Sequence, residues 1–441
     1  MTIQGKSIAR RWGIPALLLA LAAVWVPAAP AEAFQGGAPK ATRAEYDAFN
    51  AAAAEKNPQQ KIKLLDDFVA KYPNSEYMVY VYSQYWPTYA ALQQWTKVIE
   101  YLDKLLALPG TNEATRLDAL YRRAATFDYA YNAKSPDLAA AAGKARDAAL
   151  EGQKVLEAFK KPEQMKDEQW AAAKKQYAIQ FWNTAASSSY FLKDFAAVVD
   201  YYGKALALDP NQPGDDYRVG VADLQMTPPH PVAGFWALAR AVDLKVPDPD
   251  KITKFLHDKM YEYQLPGCDG LIDAQVKELL TLAQNSADPP AGYTIPSAAD
   301  LAKVRETEIP GLIAQLKAGG EKGTLAWLAV CNGVFPEAFL AKTFEADATN
   351  PAAIQLKVAI GTTEEELNAS TAPDTILKIS TQPEAARISK DDFFRFAGKL
   401  TGYTPSPFQL TFDEVKINPE DIPAEKGKAA PKRPAKKPAG K

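Results

Sequence analysis

Residues 182–210, WNTAASSSYFLKDFAAVVDYYGKALALDP, decide the fold of this 441-residue chain. In the second half of this stretch the apolar side chains recur at helical spacing, as they do when an α-helix buries one face. The apolar positions are Phe195, Val198, Val199, Tyr202, Ala205, Leu206 and Leu208. Pro210 stands just past the last of them, where a proline cannot continue the helical hydrogen bonds. The stretch therefore predicts a pair of helices that ends at Pro210.

Two earlier stretches repeat the pattern. The stripe that ends before Pro73 consists of Ile62, Leu65, Phe68, Val69 and Tyr72. The stripe that ends before Pro109 consists of Val98, Tyr101, Leu102, Leu105 and Leu106. A helix with one apolar face cannot bury that face alone, so neighbouring pairs must stack. The sequence therefore predicts a mainly α protein, with an α-solenoid of helical hairpins over residues 40–245 and bridging or capping helices over residues 246–320.

Residues 182–210 also resemble the tetratricopeptide repeat (TPR) family. The positions that match its pattern of large, small and aromatic residues are Trp182, Ala185, Ala186, Ser189, Val198, Tyr202, Ala205 and Pro210. The match is imperfect, since Ser189 replaces an aromatic residue and Val198 a smaller one. A second copy matches at Tyr82, Tyr85, Trp86, Tyr89, Val98, Leu102 and Leu105, and is one residue short before Pro109. Pro87 inside its first helix should kink or shorten that helix. The resemblance implies hairpins that bind a protein or peptide on a concave face.

From residue 325 onward the apolar period changes from helical to two. The run AWLAV at residues 326–330 is strand-like, and later apolar residues alternate with polar ones at Ile354, Leu356, Val358, Ile360, Phe394, Phe396, Leu400, Phe408, Leu410 and Phe412. Alternation of this kind is typical of half-buried strands. It predicts a small antiparallel β-barrel over residues 324–418. Its last two strands, DDFFRFAGKLTGYTPSPFQLTFDEVKI, resemble the end of an OB-type barrel.

The N-terminal segment has the pattern of an export signal. Lys6, Arg10 and Arg11 precede an uncharged apolar run at residues 14–26, which is followed by PAAPAEA. The run is too short to cross a bilayer comfortably, and Ala–Glu–Ala at its end fits the small-residue cleavage rule. We expect a Sec-type signal peptide over residues 1–33, cleaved after Ala33, and a periplasmic or secreted protein without a membrane span. A cut two residues earlier and an uncleaved signal anchor are the alternatives.

The C-terminal segment is basic. Residues 424–441, AEKGKAAPKRPAKKPAGK, hold six lysines and one arginine against one glutamate, a net of +6 in a chain whose overall net charge is −2. A composition of alanine, proline and lysine cannot bury apolar surface, so we expect a disordered tail. The tail has two interpretations: a polybasic arm for an anionic polymer, or a solubilising extension.

The sequence favours a non-enzymatic protein without cofactor or metal. Its two histidines, His230 and His257, lack a partner histidine at metal-ligand spacing. It contains no nucleotide-binding glycine loop and no G-x-S-x-G nucleophile motif. Adjacent acids such as Asp215 and Asp216 are interpreted as helix-start or turn residues.

Three groups of residues are candidate functional or structural sites. The candidate partner-binding residues are Tyr82, Tyr85, Trp86, Tyr89 and Trp182, because tyrosine and tryptophan anchor peptides and glycans. Phe393, Lys399 and Tyr403 are candidates for a stacking and basic surface on the barrel. Packing between helices, and packing within the barrel or onto the solenoid, are the alternatives for these two groups. Cys268 and Cys331 are a candidate disulfide in an oxidising compartment, or two buried free thiols.

The residues together predict an exported scaffold that binds a protein or peptide in the cell envelope through the concave face of its repeats. The alternative is an envelope protein that binds an anionic glycan or nucleic acid through the barrel and the basic tail. An enzyme of unrecognised chemistry is the third hypothesis, and would show acidic, histidine or serine side chains in one deep pocket. We expect the mature chain to be monomeric.

Overall fold

The computed structural model describes residues 42–268 and 270–424, apart from the side chains of residues 337 and 338. The expected signal peptide at residues 1–33 lies outside the described residues, and so does the basic tail except for Ala424. The chain divides into two compact units at the bond between Pro249 and Asp250. Each unit is described by itself.

The described part of the first unit consists of ten α-helices that pack in sequence order. They are α1 (Arg43–Ala54), α2 (Pro58–Lys71), α3 (Met78–Ala91), α4 (Trp95–Leu106), α5 (Glu113–Ala130), α6 (Leu138–Ala158), α7 (Asp167–Phe191), α8 (Phe195–Leu208), α9 (Pro213–Gln225) and α10 (Pro231–Asp243). Each helix packs on the next, and α5 also packs on α7. The first helices of two consecutive hairpins are therefore neighbours, which confirms the solenoid of helical hairpins.

Local sequence sets where these helices begin and end. The side chain of Thr42 forms a capping box with Glu45, and the Asn112 side chain accepts the backbone N–H of Thr115 at the start of α5. Helix α8 ends at Leu208, two residues before Pro210, as the sequence predicts. Helix α3, by contrast, continues through Pro87 to Ala91, so the expected shortening of this helix is wrong. A proline costs one hydrogen bond, and the packing of α3 between α2 and α4 offsets that loss.

Most residues of the predicted stripes are buried or half-buried, although Leu208 is exposed, and the core of the first unit also contains Tyr85 and other residues outside the stripes. Tyr85 is 1% exposed and Tyr202 is also 1% exposed, the largest side chains to be so fully buried. Around them lie further buried members of the three stripes, namely Leu65, Phe68, Val98, Leu102, Leu105, Val198 and Ala205. The stripe positions were predicted because only the face that contacts a neighbouring helix needs to be apolar.

Helices α9 and α10 cross at two glycines. A Cβ atom on Gly220 would lie 2.7 Å from the carbonyl oxygen of Gly234. We expect Gly220→Ala to lower the free energy of unfolding of the first unit by about 1–3 kcal/mol, because backbone atoms cannot move aside cheaply. Gly203→Ala in α8 is the control. A Cβ atom at position 203 would have no atom within 4 Å. The better helix propensity of alanine should therefore raise the free energy of unfolding by about 0.5–1 kcal/mol. Urea titration of the full chain measures both changes. If the two substitutions changed the free energy of unfolding in the same direction, the close crossing of α9 and α10 would be contradicted.

The second unit combines helices with a β-barrel. Its helices before the barrel are α11 (Pro249–Gln264), α12 (Gly270–Ala283), α13 (Ala298–Arg305), α14 (Ile309–Ala318) and α15 (Gly320–Val330). The strands are β1 (Val334–Asp347), β2 (Ile354–Gly361), β3 (Thr375–Ile379), β4 (Phe393–Pro405) and β5 (Phe408–Ile417), with a short helix α16 (Glu364–Ala369) between β2 and β3. The strands form a closed barrel in the order β1-β2-β3-β5-β4.

The barrel is confirmed, with one difference in strand direction. Strands β3 and β5 pair in parallel, Ile376 opposite Thr411, whereas the other pairs are antiparallel. Strand directions cannot alternate all the way round a closed barrel with an odd number of strands. A five-stranded barrel therefore contains at least one parallel pair, and the expectation of wholly antiparallel pairing is corrected.

Residues 326–330 are the second correction. They are the end of helix α15 and not a strand, and the first strand starts at Val334. A short apolar run is compatible with a buried helix as well as with a strand, and its period cannot separate the two. Helices α13 to α15 and the barrel share one core, in which Leu301, Leu312 and Leu316 lie with Phe396 and Phe412. Within the described residues, no helix has the length and apolar character needed to span a membrane.

Candidate functional site

Two of the candidate tyrosines of α3 lie inside the helical packing. Tyr85 stacks on Tyr101 of α4 with ring centroids 3.9 Å apart and donates a hydrogen bond of 2.7 Å to Asp66 Oδ1. Burial, with this hydrogen bond, raises the pKa of Tyr85. Tyr89 is 8% exposed and stacks on Tyr85 and Tyr101. Both rings stabilise the contact between α3 and α4 and offer little surface to a partner.

The other two candidates of α3, Tyr82 and Trp86, are half-buried. The Arg122 guanidinium of α5 lies over the Trp86 ring, 4.1 Å from its centroid. Arg122 Nε also donates a hydrogen bond of 2.8 Å to Asp118 Oδ2 one turn earlier in α5. This cation–π contact joins the first helices of two successive hairpins.

Trp182 of α7 is half-buried against the second helix of its own hairpin. Its ring stacks on Tyr201 of α8 with centroids 5.7 Å apart, and Lys204 Nζ lies 4.7 Å from the centroid of the Trp182 ring. Trp182 therefore packs within one hairpin. It takes no part in the contact between Trp86 and Arg122.

Polar side chains connect the first helices α3, α5, α7 and α9. We call this surface the first-helix face, and define it by Trp86, Asp118, Arg122, Asp128, Gln180, Asn183, Ser187 and Arg218. Gln180 donates to Thr184 Oγ1, which in turn donates to the Ala124 carbonyl oxygen of α5 at 3.1 Å. Contacts between side chains thus link the first helices of four successive hairpins.

Part of this face is an acidic recess, which we define by Asp128 of α5, Asn183 of α7, and Asp215 and Arg218 of α9. Arg218 Nη1 lies 3.2 Å from Asp215 Oδ1, and the Asn183 side chain also favours the ionised form of Asp215 by lowering its pKa. Asp128 is exposed to solvent, yet the protein around it raises the pKa of its carboxyl, against the attraction of Arg218 and a hydrogen bond with Ser187. One accessible carboxyl, Asp128, and one buried carboxyl, Asp215, thus interact with the same guanidinium.

Asp215 and Asp216 were expected only as helix-start residues, and they do begin α9. Their burial was missed, because it depends on contacts with α7 and α10 that no local pattern encodes. Burial raises the pKa of Asp215 to about 6, although the cation Arg218 lowers it. Burial likewise raises the pKa of Asp216 to about 6, although Arg240 of α10 lowers it. The only available signal was an arginine three residues after an acid pair.

The raised pKa of Asp215 predicts the direction of a pH effect. A carboxyl whose folded pKa exceeds its unfolded value binds more protons in the folded state, so stability falls as pH rises from about 4 to about 6. Asp215→Asn removes this cost, and we expect the free energy of unfolding at pH 7 to rise by about 1–3 kcal/mol. In this variant the free energy of unfolding should still depend on pH in part, because the carboxyl of Asp216 also has a raised pKa. Urea titrations between pH 4 and pH 7.5 measure it, and a variant less stable than wild type at pH 7 would contradict the assignment.

The structure does not bring the three candidate residues of the barrel together. Phe393 begins β4 beside Lys342 of β1, whose Nζ lies 6.0 Å from the ring centroid. Lys399 lies in mid-strand opposite Asp413. Tyr403, near the end of β4, donates to the Leu316 carbonyl oxygen of α14 at 2.8 Å. Ten residues of extended strand separate Phe393 from Tyr403 by about 33 Å, so the described structure holds no single platform made of these side chains.

Cys268 and Cys331 are joined by a disulfide, with their Cα atoms 5.7 Å apart. The bond connects the segment just before α12 to the end of α15. Both residues lie in the second unit, so the disulfide crosslinks the helices that precede the barrel.

The histidines lie beside carboxylates, and His257 contacts two of them, since its Nδ1 also lies 3.4 Å from Asp258 Oδ1. His230 Nδ1 is 3.3 Å from Asp223 Oδ1, and His257 Nε2 is 3.4 Å from Asp273 Oδ1. His257 lies in an open cleft of about 640 Å³ between α11 and α12. Within residues 42–268 and 270–424, no group of three or more histidine, cysteine, aspartate or glutamate side chains is placed to hold a metal ion.

No protein-family model and no curated protein matches this chain. Among solved structures it is similar to one described as "TPR2AB-domain:pHSP90-complex of yeast Sti1", at 16% sequence identity and a TM-score of 0.17, over 55% of this chain and 86% of that chain. A TM-score this low carries no argument about function. Membership of the tetratricopeptide repeat family therefore stays a prediction, whereas the helical hairpins and the barrel are features of the structure itself.

Proposed function

We propose that this chain is an exported scaffold that holds an extended peptide or helix of a partner protein on the first-helix face. The observation that carries the proposal is the continuity of that face. Pairwise contacts between aromatic, cationic, anionic and amide side chains link the first helices of four successive hairpins, from Trp86 in α3 to Arg218 in α9, and these contacts support the proposal. A surface of this kind can contact several side chains of one peptide at once.

Export is the second part of the proposal. It is supported by the basic and apolar pattern of residues 1–33 and by the Cys268–Cys331 disulfide. Disulfides form and persist mainly in oxidising compartments such as the periplasm or the extracellular space. The cell envelope is therefore where we expect the partner.

Affinity capture from envelope extract tests the proposal, with the mature chain as bait. Each captured protein is then titrated against wild type and Trp86→Ala. We expect Trp86→Ala to weaken binding at least tenfold. The substitution removes the aromatic ring of the first-helix face and, with it, the cation–π contact that holds Arg122 in place. Trp95→Ala is the matched control, since Trp95 is also half-buried but begins the second helix α4. It should change the affinity less than twofold.

The same experiment contains the test of the alternative function. Binding through the basic tail should disappear when residues 424–441 are deleted and should fall steeply as salt rises. Captured proteins that are lost with the tail or with salt, and that bind Trp86→Ala as well as wild type, would contradict the role of the first-helix face.

A further inference from the structure

The acidic recess has an excess of negative charge. Asp128 and Asp215 both interact with one cation, Arg218, so two carboxylates share a single guanidinium. When both carboxyls are ionised, the three side chains carry a net charge of −1. An anionic ligand would meet repulsion there, whereas a cation would restore neutrality.

Two buried oxygen atoms of the recess have no donor. The Asp215 side chain is 5% exposed, and its Oδ2 atom has no hydrogen-bond partner among the described residues. Asn183 Oδ1 is equally without a partner in the part of the chain that the structure describes. A buried acceptor left in this state costs about 1–3 kcal/mol. Because native proteins pair nearly all such atoms, these two require donors from water or from a ligand.

Both atoms are of the same chemical kind. A carboxylate oxygen and an amide oxygen accept hydrogen bonds and cannot donate them. The accessible Asp128 carboxyl, which interacts with the same Arg218, is a third acceptor. The complementary group has a positive charge and several N–H donors, as an ammonium or a guanidinium has. Within the described residues, too few metal-ligating side chains gather here for a metal ion to be the expected cation.

We infer that the acidic recess receives a lysine or arginine side chain of the partner peptide. The inference rests on the proposed function, since it names the chemistry of the group that the first-helix face would hold. The basic head group would contact the accessible Asp128 carboxyl first. Because protein encloses Asp215 Oδ2 and Asn183 Oδ1, the side chains around these atoms would have to move before the head group donates to them. Its charge would offset the second carboxylate, which Arg218 alone does not neutralise.

Selection of peptides from a random 15-residue library on the full chain tests the inference. Selected peptides are sorted by whether Trp86→Ala weakens their binding, which identifies those on the first-helix face. We expect these peptides to share a lysine or arginine, and to bind at least tenfold more weakly when norleucine replaces it. Asp128→Asn should produce a loss of similar size, and should produce almost no further loss with the norleucine peptide. If Asp128 affected only the folding of the chain, the losses from Asp128→Asn and from norleucine would simply add.

Two further variants complete the design. Asp215→Asn removes the buried carboxylate and should also weaken the basic peptides at least tenfold, while we expect it to be more stable than wild type. Asp147→Asn is the matched control, because Asp147 is an exposed acid on the second helix α6. The same loss of charge there should change the affinity less than twofold.

The outcomes separate the two proposals. Peptides that depend on Trp86 but need no basic residue, or that bind Asp128→Asn as well as wild type, would overturn the inference and leave the proposed function standing. If no selected peptide depends on Trp86, the proposed function is overturned, and the inference with it.

Discussion

Removal of the Cys268–Cys331 disulfide is expected to lower the free energy of unfolding of the second unit by about 4 kcal/mol. The bond closes a loop between residues 63 positions apart, and in the chain-entropy account a loop of that length restricts the unfolded chain by about this amount. Cys331 is 3% exposed, so the variant Cys268→Ser with Cys331→Ala avoids placing a hydroxyl in the core. Native-state hydrogen exchange of the β4 and β5 amides should show protection reduced by up to about 1,000-fold.

The control for this prediction is chemical reduction of the wild-type chain. Reduction should reproduce the loss of protection in the second unit and leave the amides of the first unit unchanged, because both cysteines lie in the second unit. Equal protection in the oxidised and reduced chains would contradict the stabilising role of the bond.

Phe412→Ala is expected to lower the free energy of unfolding of the second unit by about 3–5 kcal/mol, through the lost transfer energy and the cavity that remains. Phe412 is 0% exposed. Its ring centroid lies 5.3 Å from that of Phe396, 5.7 Å from that of Phe339 and 6.0 Å from that of Phe335. Three aromatic neighbours cannot collapse into the space without disturbing β1 and β4.

Phe393→Ala is the matched control for Phe412→Ala. Phe393 lies half-buried at the start of β4, outside the aromatic core. Its truncation should cost about 1 kcal/mol or less, since less apolar area leaves the interior. Urea titration of the two variants compares them directly. A similar loss in both would contradict the placement of Phe412 at the centre of the barrel.

The architecture was predictable from sequence to the extent that it depends on local periodicity. The stripe from Phe195 to Leu208 and the proline after it predict α8, because a helix needs one apolar face and cannot continue through Pro210. The alternation at Ile354, Leu356 and Val358 predicts β2 for the corresponding reason. The run at residues 326–330 was misassigned, since five apolar residues fit a buried helix and a strand equally well.

The candidate site was predictable only in part. Tyr82 and Trp86 were identified from their aromatic character, but the same criterion selected Tyr85 and Tyr89, which are core residues. The acidic recess was missed because Asp128, Asn183 and Asp215 lie in three different hairpins. Their proximity follows from the packing of α5, α7 and α9, and no spacing along the chain indicates it.

Photo-crosslinking in envelope extract tests whether a partner binds on the first-helix face. One probe is p-benzoylphenylalanine in place of Gln180, which is half-buried on α7, and the control is the same amino acid in place of Lys154, which is exposed on the second helix α6. We expect a defined protein adduct from the Gln180 position that an added basic peptide competes away, and no such adduct from Lys154. Adducts from Lys154 alone, or equal adducts from both positions, would contradict binding on that face.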